Sequence, residues 1–170
     1  MIKSQRFIII LLVCNCIFTS TVLASYPEFF NELAKKPQSQ AKKIVKVLKI
    51  KKGSTIADLG AGGGYFSILL AKAVGRTGLI YAVDTSRTCI NYIYKYAKKQ
   101  KVHNIKCIHA SNDTSNLQKN SIDLVFVRTT YHHLYNRIAY FHKLKKVLKS
   151  KGKIVIIDNK PDSFPGHNIK

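Results

Sequence analysis

The chain has 170 residues, room for one domain with a hydrophobic core and not for two. Hydrophobic residues make up 46% and charged residues 22%, an ordinary globular balance. Lysine and arginine total 29 against 8 acids, a net charge of +21 that attracts polyanions and anionic lipid headgroups. The lysines are spread over every helix and turn, with no zinc-finger spacing and no aromatic-basic signature, so specific nucleic-acid recognition is not expected.

The first residues read as a targeting segment. Lys3 and Arg6 form a basic start, Phe7 to Phe18 an apolar run, and Val22-Leu23-Ala24 a small-residue exit. This is the pattern of a secretory signal peptide, 1–24, cut after Ala24. The competing reading is an uncleaved anchor over Phe7 to Ala24, which is only just long enough to span and carries Asn15, Thr19, Ser20 and Thr21. The expected address is export, periplasmic or secreted. Cleavage removes Cys14 and Cys16 and leaves Cys89 and Cys107, too few for a disulfide framework; whether these two pair is open.

Residues 25–170 form the expected domain. Tyr26 to Lys36 reads as a lead-in, and Pro37 opens a helix with Ala41, Ile44, Val45 and Leu48 on one face. Thr55 to Leu59 is a strand, followed by the glycine cluster Gly60 to Gly64 and a helix bearing Phe66, Leu69, Leu70 and Ala73. Leu79 to Val83 is the second strand. Ser86 is placed to cap a third helix, whose apolar face is Ile90, Ile93, Tyr94 and Ala97. Ile105 to His109 is the third strand, 111–121 a polar loop with room for one helical turn, and Ile122 to Val127 the fourth strand. Asn136 caps a last helix carrying Phe141, Leu144, Val147 and Leu148, which Gly152 is expected to end. Lys153 to Ile157 is the fifth strand, and 159–170 is polar. There is no internal repeat. Strands alternating with amphipathic helices predict an α/β fold with a mostly parallel sheet and helices on both faces, a three-layer sandwich.

The glycine loop sits at the carboxyl end of the first strand, where open α/β sheets bind ligands. A dinucleotide fingerprint G-x-G-x-x-G started at Gly60 needs glycine at 65, where the chain has Tyr65. The pattern (D/E)-x-G-x-G-x-G is filled at every position by Asp58, Gly60, Gly62 and Gly64, with Ala61 inside the loop. Asp84 ends the second strand, where a carboxylate accepts two ribose hydroxyls or caps the next helix. Asp113 follows the third strand, with Asn112 beside it.

These motifs, in this order, resemble the class I (Rossmann-like) S-adenosylmethionine-dependent methyltransferases. The likeness runs from about Lys36 to Ser163 and is nearest to the small-molecule enzymes of ubiquinone and menaquinone biosynthesis. It implies S-adenosyl-L-methionine as cofactor, with Asp58 on the methionine amino group, Gly60, Ala61, Gly62 and Gly64 against the amino-acid and ribose part, Asp84 on the ribose and Asp113 at the adenine. Asp123-Leu124-Val125 resembles the family's D-L-V strand, and 149–158 its glycine-containing fifth-strand segment with Lys151 where the first glycine is usual. Some exported bacterial members also carry Tyr-His-His after the fourth strand, as Tyr131, His132 and His133 do here.

Methyl transfer needs alignment first and a base second. His132 and Tyr131 are the candidate base or acceptor-orienting groups. The plainer reading is a structural loop in which His133 caps or packs against the next helix. Arg128 stands where many members carry an acid or Asn; a cation there favours an anionic acceptor or marks drift of the site. A zinc site from His132, His133 and His142 lacks a usual ligand spacing, so no metal is expected. The family usually adds two strands after the fifth, and these are expected to be missing. The fifth strand would then be an exposed edge, suited to pairing in a homodimer. The expected activity is methyl transfer to a small-molecule acceptor; the alternative is a degenerate binding module of the same fold without catalysis.

Overall fold

The computed structural model describes residues 26–158. The leader expected at 1–24 and the polar tail at 159–170 lie outside the described residues. In chain order the elements are α1 (Tyr26–Lys35), α2 (Ala41–Val47), β1 (Thr55–Leu59), α3 (Tyr65–Val74), β2 (Leu79–Asp84), α4 (Arg87–Lys99), β3 (Ile105–His109), β4 (Ile122–Arg128), α5 (Arg137–Lys145) and β5 (Leu148–Ile157). Short 3-10 turns cover Pro37–Ser39 and Tyr131–His133. None of the described helices is long and apolar enough to cross a membrane.

The strands pair in the order β3-β2-β1-β4-β5, every pair parallel. Their sequences explain this. Ile56 and Ala57 in β1, and Val125, Phe126 and Val127 in β4, are fully buried although neighbours point to opposite faces. A strand apolar on both faces needs a layer on each side. Ile56, Ile80 and Phe126 meet Phe66, Leu70 and Val74 of α3, with Ala34 and Ala41 above them. Ala57, Val83, Val125 and Val127 meet Tyr140 and Leu144 of α5 on the other face. The right-handed connections β1 to β2 to β3 run one way, and the chain then returns across β1 to form β4 and β5. The direction therefore reverses between β1 and β4, and the crevice above that reversal is where such sheets take ligands.

Two expected caps are present. Ser86 Oγ accepts from Cys89 N at 3.3 Å, and Asn136 Oδ1 accepts from Ala139 N at 3.1 Å. Five expectations need correction. Residues 26–35 are a helix and no lead-in: Pro27, Asn31 and Ala34 recur at helical spacing and are its buried face. The helix opened at Pro37 is broken at Gln40, whose φ of +48° divides a 3-10 turn from α2. The last helix ends at Lys145, and Leu148 already belongs to β5. Gly152 does not end that helix. It lies in an irregularity of β5, where Ile122 pairs with Leu148 but Leu124 with Lys153. The 111–121 loop contains no helical turn; a bridge between Ser111 and Thr114 folds it back.

Asp123, of the D-L-V motif, is structural. Its Oδ2 accepts from Thr55 N and from Lys149 Nζ, both at 2.8 Å, at the amino end of the sheet. Burial works against ionisation there, but Lys149 and the Thr55 N–H outweigh it and hold the carboxyl below its ordinary value.

Asn104 ties α3 to the sheet. Its Nδ2 reaches the carbonyls of Ala71, Gly75 and Gly78 at 3.1, 2.9 and 3.2 Å. These include the last-turn acceptors that a helix leaves unpaired. Asn104→Ala is expected to cost about 1–3 kcal/mol, the range for stranded buried acceptors. Urea unfolding checks this; an unchanged midpoint would show that water replaces the amide.

Candidate active site

The crevice between β1 and β4 opens into a cleft of about 450 Å³, within the range of small-ligand sites. Its floor is the glycine loop, its rim the ends of β2 and β4, and one wall is α1. Gly60 and Gly64 have φ of +74° and +80°, a region that side chains other than glycine's rarely adopt.

Most of the loop's N–H groups are engaged inside the protein. Gly60 N and Ala61 N donate to Val83 O at 2.8 and 3.1 Å, Gly64 N to Ala61 O at 2.8 Å, and Gly62 N to Asp84 Oδ2 at 2.8 Å. Asp84 also accepts from Ser86 N through Oδ1 at 2.9 Å. A carboxylate has about four lone-pair sites, so each oxygen keeps one for a ligand.

Asp58 lies beneath the loop, 3% exposed. Ser67 Oγ donates to its Oδ2 at 2.5 Å. Burial pushes the Asp58 carboxyl up to about 6; Ser67 opposes that rise, Asp84 adds to it and Arg128 opposes it.

α1 is built into the site. Asn31 Oδ1 accepts from Tyr65 N at 3.0 Å and so caps α3, whose own N-cap residue Gly64 has no side chain to do it. The close approach depends on Gly63: a Cβ there would lie 2.1 Å from Pro27 O and 2.4 Å from Asn31 Oδ1. Asn31 is 2% exposed, and its Nδ2 has no partner. No signal in the sequence marks Asn31, because the helix it caps begins 34 residues later.

Asp58, Gly60, Ala61, Gly62 and Asp84 line the cleft. Gly64 lies just behind it, where a Cβ would meet Ile93 at 2.9 Å. Asp113 does not reach the cleft. The Ser111–Thr114 bridge puts it on the outer side of the turn, exposed, while Ser111 and Asn112 face the cavity. Tyr131 and His132 are likewise not among the residues that line the cleft. The His132 ring lies against that of His133, centroids 4.0 Å apart. Tyr131 packs on Phe141, ring centroids 5.7 Å apart, with Arg137 above it at 4.9 Å. His132 holds Asp158: Nδ1 lies 2.9 Å from Oδ1, and the His132 N–H donates to Oδ2 at 3.1 Å. Of the three residues in that turn, His133 lines the cleft, with Thr129 and Thr130 before it.

Arg128, at the end of β4, also lines the cleft. Its guanidinium stacks on Phe66, 4.8 Å from the ring centroid. Its Nε is buried without a hydrogen-bond partner. Burial holds its pKa below the ordinary value, while Asp58 and Asp158 oppose that shift. Cys89, in the cleft wall, and Cys107, on β3, are both free thiols.

Comparison with known proteins agrees with this architecture. A family model described as a methyltransferase domain matches residues 50–169. The demethylmenaquinone methyltransferase of Listeria welshimeri is 24% identical over 125 residues, 74% of this chain and 53% of that protein. That of Staphylococcus saprophyticus is 28% identical over 124 residues, 73% and 52% respectively. The chain spans about half the length of these relatives. The crystal structure of an S-adenosylmethionine-dependent methyltransferase from Aquifex aeolicus superposes with a TM-score of 0.72 at 27% identity, covering 82% of this chain and 77% of that one. The five parallel strands, the glycine loop between β1 and α3, and the family match together place this chain in the class I, Rossmann-like methyltransferase family.

Proposed function

We propose that the chain binds S-adenosyl-L-methionine in this cleft and transfers its methyl group to a small-molecule acceptor. The observation that carries the reading is how the loop uses its polar groups. The N–H groups of Gly60, Ala61, Gly62 and Gly64 are already bonded within the protein. A pyrophosphate needs such groups free. The cleft instead offers two carboxylates, Asp58 and Asp84, which repel phosphate. They suit a nucleoside carrying hydroxyls and a cationic amine.

Each residue then has a task. Asp84 is held by Gly62 and Ser86 with lone pairs left to accept ribose hydroxyls. Asp58 pairs with the ammonium. Asn112 and Ser111 border the space for the base. When bound, the cofactor supplies a methyl group already activated on a sulfonium. The protein's part is to align the acceptor with it. Thr129, Thr130 and His133 line the side left for that acceptor. His133, which lines the cleft, joins His132, whose ring it packs against, as a candidate for handling a proton there.

Asp84→Ala is expected to lower affinity at least about 100-fold, since it removes hydrogen bonds to a charged group and frees the loop at Gly62. Equilibrium dialysis of the full chain with radiolabelled S-adenosylmethionine measures this. Retained affinity in the variant would refute the ribose assignment.

A further inference from the structure

Two buried donors in the cleft have no acceptor in the described protein. One is Asn31 Nδ2, on a side chain 2% exposed. The other is Arg128 Nε, on a half-buried guanidinium. None of the salt bridges among the described residues involves Arg128. Leaving buried N–H groups unpaired costs about 1–3 kcal/mol each, more for a charged group. Native structures rarely carry that cost without a reason.

The two donors flank the same turn of chain. Asn31 caps the N–H of Tyr65, and Arg128 stacks on the ring of Phe66. The next residue, Ser67, donates to Asp58. The first three residues of α3 thus touch both donor-bearing side chains and the Asp58 carboxylate. The positive end of the ten-residue α3 lies at the same three residues.

We propose that Arg128 and Asn31 together hold a carboxylate, so that the cleft recognises the zwitterionic amino-acid end of its ligand by both charges: Asp58 on the ammonium, Arg128 and Asn31 on the carboxylate. The proposal rests on the S-adenosylmethionine reading. It accounts for a cation at the end of β4 without invoking an anionic acceptor. Contact with the Phe66 ring holds the guanidinium at the end of β4, and its fork of donors suits a carboxylate.

The test compares two probes on the full chain by calorimetric titration. S-adenosylhomocysteine has the amino-acid end; 5′-methylthioadenosine has the same nucleoside and thioether without it. Arg128→Met keeps an apolar stem on Phe66 and removes every donor. It is expected to weaken S-adenosylhomocysteine about 10- to 100-fold and to change 5′-methylthioadenosine by no more than about twofold. Asn31→Asp keeps the acceptor for Tyr65 N and removes both amide donors, so it should show the same selectivity through a second, independent variant. Unchanged S-adenosylhomocysteine affinity in folded Arg128→Met would overturn the proposal and leave Arg128 to an anionic acceptor. Equal loss of both probes would overturn it too, by showing that Arg128 only shapes the cleft. If the wild-type chain binds neither probe, the cofactor reading itself fails, a result distinct from both.

Discussion

Gly63→Ala is expected to unseat α1 from the glycine loop. The added methyl would sit 2.1 Å from the backbone oxygen of Pro27 and 2.4 Å from Asn31 Oδ1. Neither is the end of a flexible side chain free to swing aside. Pro27 O is fixed in α1, and Asn31 Oδ1 is fixed by the Tyr65 N–H. The backbone at Gly63 is not in the left-handed region, unlike its neighbours Gly62 and Gly64, so the effect is steric and free of φ strain. Overpacking of this kind costs about 1–3 kcal/mol, and the loss of the Asn31 cap adds about 1 kcal/mol. In a domain of this size that lowers the thermal midpoint by roughly 5–12 °C. Because α1 is a wall of the cleft, ligand affinity should fall with it. Calorimetric melting and S-adenosylhomocysteine titration of the variant check both. A variant with wild-type melting and affinity would show that α1 moves freely over the loop.

Asp58→Asn is expected to make the unliganded protein more stable at neutral pH while removing its ligand affinity. Burial raises the Asp58 carboxyl from 3.8 to about 6 in the folded chain. The folded state therefore holds a proton between those values that the unfolded chain has released. Its contribution to stability is full below pH 3.8 and is lost as pH rises through about 6. The loss is about 3 kcal/mol, two pKa units at 1.36 kcal/mol each. Asparagine still offers an oxygen to the Ser67 hydroxyl, carries no charge and escapes the loss. Ligand binding has the opposite sign. An ammonium pairs with Asp58 only when it is ionised, so affinity should fall up to tenfold per pH unit below about 6 and level off above it. Urea unfolding and ligand titration between pH 5 and 8 test both slopes. A wild type whose affinity does not vary over that range, or an asparagine variant that binds normally, would remove Asp58 from the ammonium site.

Much of this was readable in the sequence, for physical reasons that differ by element. β1 and β4 are short apolar runs, and α3 and α4 start at glycine or Ser86 with aliphatic residues at helical spacing. Burial and local geometry there depend on near neighbours. The helical period of α1 is present in Tyr26, Phe29, Phe30, Leu33 and Ala34, but that stripe is only partly buried: Tyr26, Phe29 and Leu33 stay exposed, and the packed face is Pro27, Asn31 and Ala34. The start of β5 was misplaced because Val147 and Leu148 continue the spacing of α5; only pairing with Ile122 shows where the strand begins.

In the site, Asp58 and Asp84 were legible because their roles follow from position at the carboxyl ends of parallel strands. Asp113 and Asn112 are neighbours, and one backbone bridge decides which of them faces the cavity. His132 and His133 share a 3-10 turn with their rings 4.0 Å apart, and the carboxylate that holds His132 comes from Asp158, 26 residues further on. Arg128 stands out in the sequence as a cation at the end of β4. That it stacks on Phe66 with an unpaired Nε is visible only once the chain is folded.

The central claim is that this cleft is a nucleoside site for S-adenosylmethionine. The most direct measurement is calorimetric titration of the full, folded chain with S-adenosylhomocysteine, repeated in the presence of S-adenosylmethionine and of NAD. One saturable site per chain, blocked by S-adenosylmethionine and indifferent to NAD, is the expected result. No heat of binding from a cooperatively folded chain, or a site filled by NAD in its place, would contradict it.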